Sequence, residues 1–349
     1  MRKESVMEQK PFLSVIMPVY NAEAYVAAAV RSVLRQTFRE LELICVNDCS
    51  KDGSLSVLQA LAAEDSRLRI IDSPVNVGAG GARNLGLEAA TGEYITFVDA
   101  DDSIEPCLYT TAVKACQEGS FDQVVWGLTE EHYDPRGRHI RSVPVIPEEC
   151  PVTDPAQLPG VILELEDKTL FGYQWNSLYR GSILRKHGIR FEKALLYEDF
   201  FFNLAFAEHM QTLCVLPFNG YRYFKRVNGS ITQTFTRDYF GLSCRRISEL
   251  YGFCQRREYH SDGLYRILGN RLLRYTLSAL RRNVDPRSGM DGHQRKQWFR
   301  DVCQMPLYRQ LLPRCAPSHP AHAVLRFSIL HGIAAPALLL GRLLFLLKK

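Results

Sequence analysis

The chain has 349 residues, 46% hydrophobic and 11% aromatic, enough for two domains or one domain with a sizeable extension, and wholesale disorder is excluded. The net charge of +5 hides an asymmetry: residues 236–349 carry 20 Lys and Arg against 7 Asp and Glu, leaving 23 against 31 in residues 1–235. Ten cysteines with no CxxC pair signal neither a zinc site nor a disulfide framework, and Met1-Arg2-Lys3-Glu4 has no apolar run before Pro11, which predicts a cytoplasmic chain.

Residues 13–21 read as a buried strand that breaks at Pro18, and residues 24–36 carry helical spacing through Val26, Val30, Val33 and Leu34. A second strand over 41–46 ends in Asn47-Asp48-Cys49-Ser50, followed by a helix near 55–63 and a short third strand over 68–71. The glycine-rich stretch Asn76-Val77-Gly78-Ala79-Gly80-Gly81-Ala82-Arg83-Asn84 then leads into a helix that ends by Gly92. Gly78-Ala79-Gly80 could open a dinucleotide fingerprint, but Arg83 stands where its third glycine is due. The glycines serve either tight packing or the approach of Arg83 and a helix N-terminus to an anionic ligand.

The next strand, 94–98, ends in three carboxylates within four residues, Asp99, Asp101 and Asp102. Three like charges raise one another's pKa unless a cation lies between them, which argues for a hard divalent ion, Mg²⁺ or Mn²⁺, sharing its shell with substrate phosphates. A solvated loop with acidic capping residues before Glu105 and Pro106 is the plainer alternative. The whole run is the βαβ alternation of a mostly parallel sheet flanked by helices, a Rossmann-like α/β fold, whose ligands gather at the carboxyl ends of the strands. Tyr20, Asn21, Asp48 and the acidic tip all lie there.

Further on, 122–127 continues the core, and the proline-rich stretch 134–160 reads as a loop or linker. Trp175-Asn176-Ser177-Leu178-Tyr179-Arg180 is the next landmark. Tyr197-Glu198-Asp199-Phe200-Phe201 then places two carboxylates at the start of a helix, either as an ordinary acidic first turn or as an acceptor-side base.

Taken together, Pro18-Val19-Tyr20-Asn21, Asn47 to Ser54, Asn76-Val77-Gly78 with Ala82-Arg83-Asn84, and Asp99-Ala100-Asp101-Asp102 resemble a family 2 inverting glycosyltransferase of the GT-A fold, over roughly residues 12–235. The resemblance implies a nucleotide-sugar donor, of which a UDP-sugar is the expected kind, a divalent metal, and inversion at the anomeric carbon. Pro18, Tyr20 and Asn21 would hold the nucleoside, Asp48 the base, Arg83 the nucleotide, Asp99 the ribose and Asp101 the metal. Asp199 would be the general base with Glu198 supporting it, and Tyr221 to Arg226 with Ser230-Ile231-Thr232 would close the domain over the donor. Any of Arg222, Lys225 and Arg226 could neutralise the leaving diphosphate or merely be solvated. Asn47 departs from the family's usual acidic residue.

The implied organisation is a tail over 1–11, a nucleotide-sugar half over 12–128, an acceptor half over 129–235 and a basic helical extension over 236–349. Helical spacing continues over 242–254, 264–280 and 294–303. Residues 320–349, broken by Pro336, His331 and Arg342, suit an interfacial helix on the inner face of the cell membrane better than a spanning one; packing on the catalytic domain or in a homo-oligomer is the alternative. No nucleic-acid docking motif accompanies the arginines. The reading is an enzyme transferring sugar to a hydroxyl of a glycan or lipid-linked acceptor in cell-surface polysaccharide synthesis. A dinucleotide-dependent enzyme and an inactive glycosyltransferase-like scaffold are its rivals.

Overall fold

Residues 13–97 form the expected alternation: β1 (Leu13–Val19), α1 (Val26–Leu34), β2 (Leu41–Asn47), α2 (Ser54–Glu64), β3 (Leu68–Asp72), α3 (Gly78–Ala89) and β4 (Tyr94–Phe97). β1 is buried along almost its whole length, as a strand covered on both faces must be, and it pairs in parallel with β2 and β4, while β3 pairs in parallel with β2. α1 turns Val26, Ala29, Val30, Val33 and Leu34 inward, the 3.6-residue spacing legible in the sequence. The polar ends of β1, β2 and β4 therefore emerge side by side.

The chain continues with β5 (Ser103–Ile104), α4 (Leu108–Gly119), β6 (Gln123–Tyr133), β7 (His139–Val145), β8 (Cys150–Val152), α5 (Leu158–Asp167), β9 (Ser177–Arg180), α6 (Gly181–Lys186), α7 (Glu198–Ala207) and β10 (Leu213–Lys225). The sheet runs β3-β2-β1-β4-β9-β6-β10-β5, with β7 added on β6 and β8 on β10. Only its first four strands form a continuous parallel set. β9 lies antiparallel between β4 and β6, so the sheet as a whole is mixed.

The computed structural model describes residues 10–193, 196–226, 236 and 238–347, which group into two units. The first holds residues up to 158 with 168–194 and 198–230; the second holds 159–167, 195–197 and 231–349. The expected Ser230-Ile231-Thr232 turn lies outside the described residues.

The proline-rich stretch 134–160 is not a linker. Asp134 accepts the backbone N–H groups of Arg136 and Arg138, both at 2.9 Å, and Gly137 takes φ +75°, so β6 turns back into β7. Pro144 and Pro151 lie on the added strands β7 and β8, where edge positions tolerate a residue that cannot donate to the ladder.

The second unit is helical: after α5 come α8 (Tyr239–Arg256), α9 (Asp262–Val284), α10 (Gly292–Gln304), α11 (Pro306–Leu311), α12 (Pro320–Leu330) and α13 (Ala334–Leu346). Its centre is ionic. Glu166, fully buried, takes Arg246 Nη2 at 2.7 and 2.9 Å and Arg271 Nε at 3.2 Å. Expected as one segment, the apolar end of the chain is two helices divided at Gly332 (φ +67°), and Pro336 sits in the first turn of α13, where its missing N–H costs no helical bond. No described helix is long and apolar enough to cross a membrane.

Candidate active site

The loops after β1, β2 and β3 interlock at the sheet's carboxyl edge. Asn21 (φ +48°) accepts the Lys51 N–H at 2.8 Å and donates its own N–H to Ser50 Oγ at 3.1 Å, which ties the end of β1 to the loop after β2. Pro18 lies in β1 opposite Val46, and Tyr20, next along, has 53% of its surface exposed. Asp48 is buried and accepts the Val77 and Gly78 N–H groups at 2.7 and 2.9 Å, so its carboxylate sits at the N-terminus of α3, where orphan donors and the helix dipole favour negative charge. Asn47 donates to Asp72 at 2.7 Å.

Arg83 joins the two halves of the site. It projects from α3 with only 6% of its side chain exposed, and its planar fork serves three carboxylates: Asp99 Oδ1 at 2.9 Å through Nη2, and Glu198 Oε1 and Asp199 Oδ1 at 3.0 and 3.2 Å through Nη1. Burial alone would lower the guanidinium pKa, but Asp199, Asp99 and Glu198 more than offset it and hold the group charged. Tyr197 (φ +67°) precedes α7, which presents Glu198 and Asp199 in its first turn. Burial raises the pKa of Glu198, Arg83 opposes the shift, and Asp99 adds to it.

Close approach makes the cluster possible. A Cβ on Gly80 would stand 3.0 Å from Glu198 Oε2 and 3.2 Å from Phe191 Cβ, so any larger residue would press these neighbours back by a few tenths of an ångström. One turn on, Asn84 clamps Phe191 by both its amide atoms, at 2.9 and 2.8 Å. This is the packing role of the glycine-rich segment, with Arg83 delivered as its consequence.

Sequence reasoning missed Gln174. It is fully buried with its amide between the two groups; the surrounding donors and acceptors assign the amide oxygen to the Arg83 side, where it accepts from Nη2 at 2.8 Å and Nε at 3.1 Å, and the nitrogen to Asp199, to which it donates at 3.1 and 3.2 Å. It bridges Arg83 and Asp199. The nearest sequence signal is the adjoining Trp175-Asn176, which marks a packed segment and no chemistry.

The acidic tip does not gather around one cation. Asp102 N–H bonds back to the Asp99 carbonyl at 3.1 Å, so 99–102 is a turn that sends its three carboxylates apart. Asp99 goes to Arg83. Asp102, only 3% exposed, accepts from Tyr221 Oη and the Phe224 N–H, both at 2.9 Å, and burial with the charges of Asp101 and Asp99 pushes its pKa well above the carboxylate range. Asp101 keeps 54% of its side chain exposed, with Arg226 3.6 Å away. Desolvation and Asp99 raise its pKa, and Arg226 works against them. The expectation of a cation held among all three carboxylates is therefore revised: partners divide them, and Asp101 alone is turned outward.

Among the described residues no group of three or more His, Cys, Asp or Glu could hold a metal ion. One outward carboxylate nonetheless suits a Mg²⁺-like ion, which keeps several waters and is completed by substrate phosphates. Of the three basic residues at the end of β10, Arg222 is paired with Glu105 at 2.6 Å and Lys225 with Glu130 at 2.6 Å, so Arg226 is the one that faces the acidic tip.

Such a mixed α/β sheet flanked by helices, with carboxylates of the turn after β4 and of α7 meeting on an arginine of α3 at its carboxyl edge, is of the GT-A fold class. The glycosyl transferase family 2 signature matches residues 14–188, and the chain belongs to that family. It is 30% identical over 224 residues to the uncharacterized glycosyltransferase EpsJ of Bacillus subtilis (strain 168), covering 64% of this chain and 63% of that protein. It is 45% identical over 94 residues to an uncharacterized glycosyltransferase of Haemophilus influenzae, covering 27% of this chain and 38% of the other. The chain thus spans less than two thirds of the length of these relatives. The crystal structure of S. aureus TarS 1-349 in complex with UDP-GlcNAc superposes with a TM-score of 0.67 at 22% identity, over 95% of this chain and 90% of that one, which establishes the shared fold.

Proposed function

We propose that this protein is an inverting glycosyltransferase that moves a sugar from a UDP-sugar to a hydroxyl of a glycan or lipid-linked acceptor in cell-surface polysaccharide synthesis. The observation that carries the reading is the Arg83 fork, which brings Asp99 of the acidic tip and Asp199 of α7 into one cluster although a hundred positions separate them in the chain. Donor-side and acceptor-side groups must face one reacting carbon, and this contact supports that juxtaposition.

Pro18, Tyr20, Asn21 and Asp48 surround the nucleoside, and Asp99 lies within reach of its ribose. Mg²⁺ or Mn²⁺ at Asp101 would supply charge neutralisation for the diphosphate when bound. Asp199 takes the proton of the acceptor hydroxyl as its oxygen attacks the anomeric carbon from the face opposite the leaving group. The bond from that carbon to the phosphate oxygen breaks, nucleoside diphosphate departs, and configuration inverts. Arg83 and Gln174 hold Asp199 in place, Glu198 shares Arg83 with it, and Arg226, 3.6 Å from Asp101, meets the negative charge that develops there. The α12–α13 end rests on the inner membrane face, which puts the enzyme beside a lipid-linked acceptor pool.

Thermal denaturation against UDP, UDP-GlcNAc, GDP and NAD, each with and without Mn²⁺, tests the reading. A ligand at about a hundred times its Kd contributes roughly 2.7 kcal/mol, and the Tm should rise by about 5–10 °C with UDP or UDP-GlcNAc plus Mn²⁺. Stabilisation by NAD alone would contradict it.

A further inference from the structure

α13 packs on α9 by its smallest residues. Ala337 and Gly341 are buried, and a Cβ on Gly341 would come within 3.0 Å of Leu280. That orientation turns Leu339, Leu343 and Leu346 outward at i, i+4 and i+7, exposed by 57%, 47% and 63%. α12 does the same with Val324, Phe327 and Leu330. Single exposed leucines need no explanation, but stripes on two helices joined by one turn do.

Beside the α13 stripe is a cavity of about 190 Å³ lined by Leu280, Leu338 and Asn283 together with three basic residues, Arg295, Lys296 and Arg342. Arg295 donates to the Asn283 carbonyl at 3.4 Å, and no carboxylate among the described residues lies within ion-pair distance of any of the three cations. At the acidic tip every carboxylate has its own partner, whereas here three basic side chains line one small space with no carboxylate among the described residues paired to them. An anion relieves that repulsion. The cavity is below the ~300–1,000 Å³ of ordinary small-molecule sites, so the anion is small.

We propose that this cavity takes the phosphate of an anionic phospholipid headgroup, with the leucine stripe of α13 seated in the acyl boundary beside it. The inference rests on the reading that the α12–α13 end lies on a membrane, and adds to it a defined headgroup site. Cations at headgroup depth next to leucines one step deeper is the arrangement an anionic interface selects.

The test is co-sedimentation of the full chain with vesicles of phosphatidylcholine alone or with 30% phosphatidylglycerol, at two salt concentrations. Three proteins are compared: wild type, the triple variant Arg295→Gln, Lys296→Gln, Arg342→Gln, and the pair Leu339→Asp, Leu343→Asp. At about fivefold per basic residue, the triple variant should lose roughly a hundredfold in affinity for the anionic vesicles and match its weak binding to neutral ones; the leucine pair should lose both. Lys296, Leu339, Arg342 and Leu343 are exposed and Arg295 is half-buried, and unchanged circular dichroism melting checks that the fold is kept. Equal wild-type binding to both vesicles, unaffected by the triple variant, would overturn the headgroup site and leave the membrane reading standing. No vesicle binding, with a dimer in light scattering that the leucine pair dissociates, would overturn both.

Discussion

Replacing Arg83 by Met removes the one cation that three carboxylates share. Its two terminal nitrogens lie 2.9–3.2 Å from Asp99, Glu198 and Asp199, and its side chain is almost fully enclosed. Stripping the partner from a buried ion pair typically costs about 3–5 kcal/mol. The three carboxylates are each about a quarter exposed (27%, 24% and 27%), so water screens them in part and the lower end applies, roughly 2–4 kcal/mol. For a unit of this size that is a fall in Tm of about 4–16 °C at pH 7.5. Arg83→Lys should recover only part of it, because a point charge cannot reproduce a fork that reaches three acceptors. The decisive comparison is with Asp199→Asn. In wild type that change removes a favourable contact, whereas in the Arg83→Met background it relieves repulsion, so the double variant should deviate from additivity by at least about 1 kcal/mol. Urea denaturation of wild type, the two single variants and the double variant measures this. A melting point for Arg83→Met within 2 °C of wild type, or additive effects, would refute the idea that Arg83 is the hub of the site.

Three other outcomes follow from particular contacts. Asp102→Asn should gain melting temperature relative to wild type as pH rises from 5 to 8: the folded pKa is raised above the unfolded value, so ionising this buried group destabilises wild type with rising pH, and Asn cannot ionise; a pH-independent difference would contradict this. Asp101→Asn, or EDTA on wild type, should reduce the Mn²⁺-dependent affinity for UDP at least about tenfold while leaving melting without ligand unchanged; unaltered Mn²⁺ dependence would exclude Asp101 as the ligand. Glu166→Gln should destabilise the helical unit by roughly 3–5 kcal/mol, because Arg246 and Arg271 lose the charge between them, and a loss under about 1 kcal/mol in urea would show that the triad is screened.

How far the sequence reaches depends on whether a feature is local. The parallel half of the sheet was legible because each strand is an apolar run with a polar end, and periodicity plus a parallel order brings those ends together. Asp99, Asp101, Glu198 and Asp199 stood out as candidates because three carboxylates crowd one strand tip and the other two follow the family's order of motifs, although an acidic first turn is by itself ordinary in a helix. Their division of labour was not. It depends on a turn at 99–102 and on Tyr221 and Phe224, more than a hundred residues away, which supply donors to Asp102. Gln174 was invisible for the same reason: it is one polar side chain in an aromatic stretch, and its partners come from α3 and α7. The prolines of 134–160 suggested a loop because a single sequence does not say which strands lie on an edge, and the apolar end of the chain looked like one segment because Gly332 acts only through a left-handed φ.

The most direct test of the central claim is Asp199→Asn, assayed for both binding and transfer. The variant should still be stabilised by UDP and Mn²⁺ to within a degree or two of wild type, while sugar transfer to acceptor falls by about 10²–10⁴-fold, the loss expected when a general base is removed and the donor site is left in place. Transfer within about threefold of wild type would contradict the account, because the proton would then leave by another route.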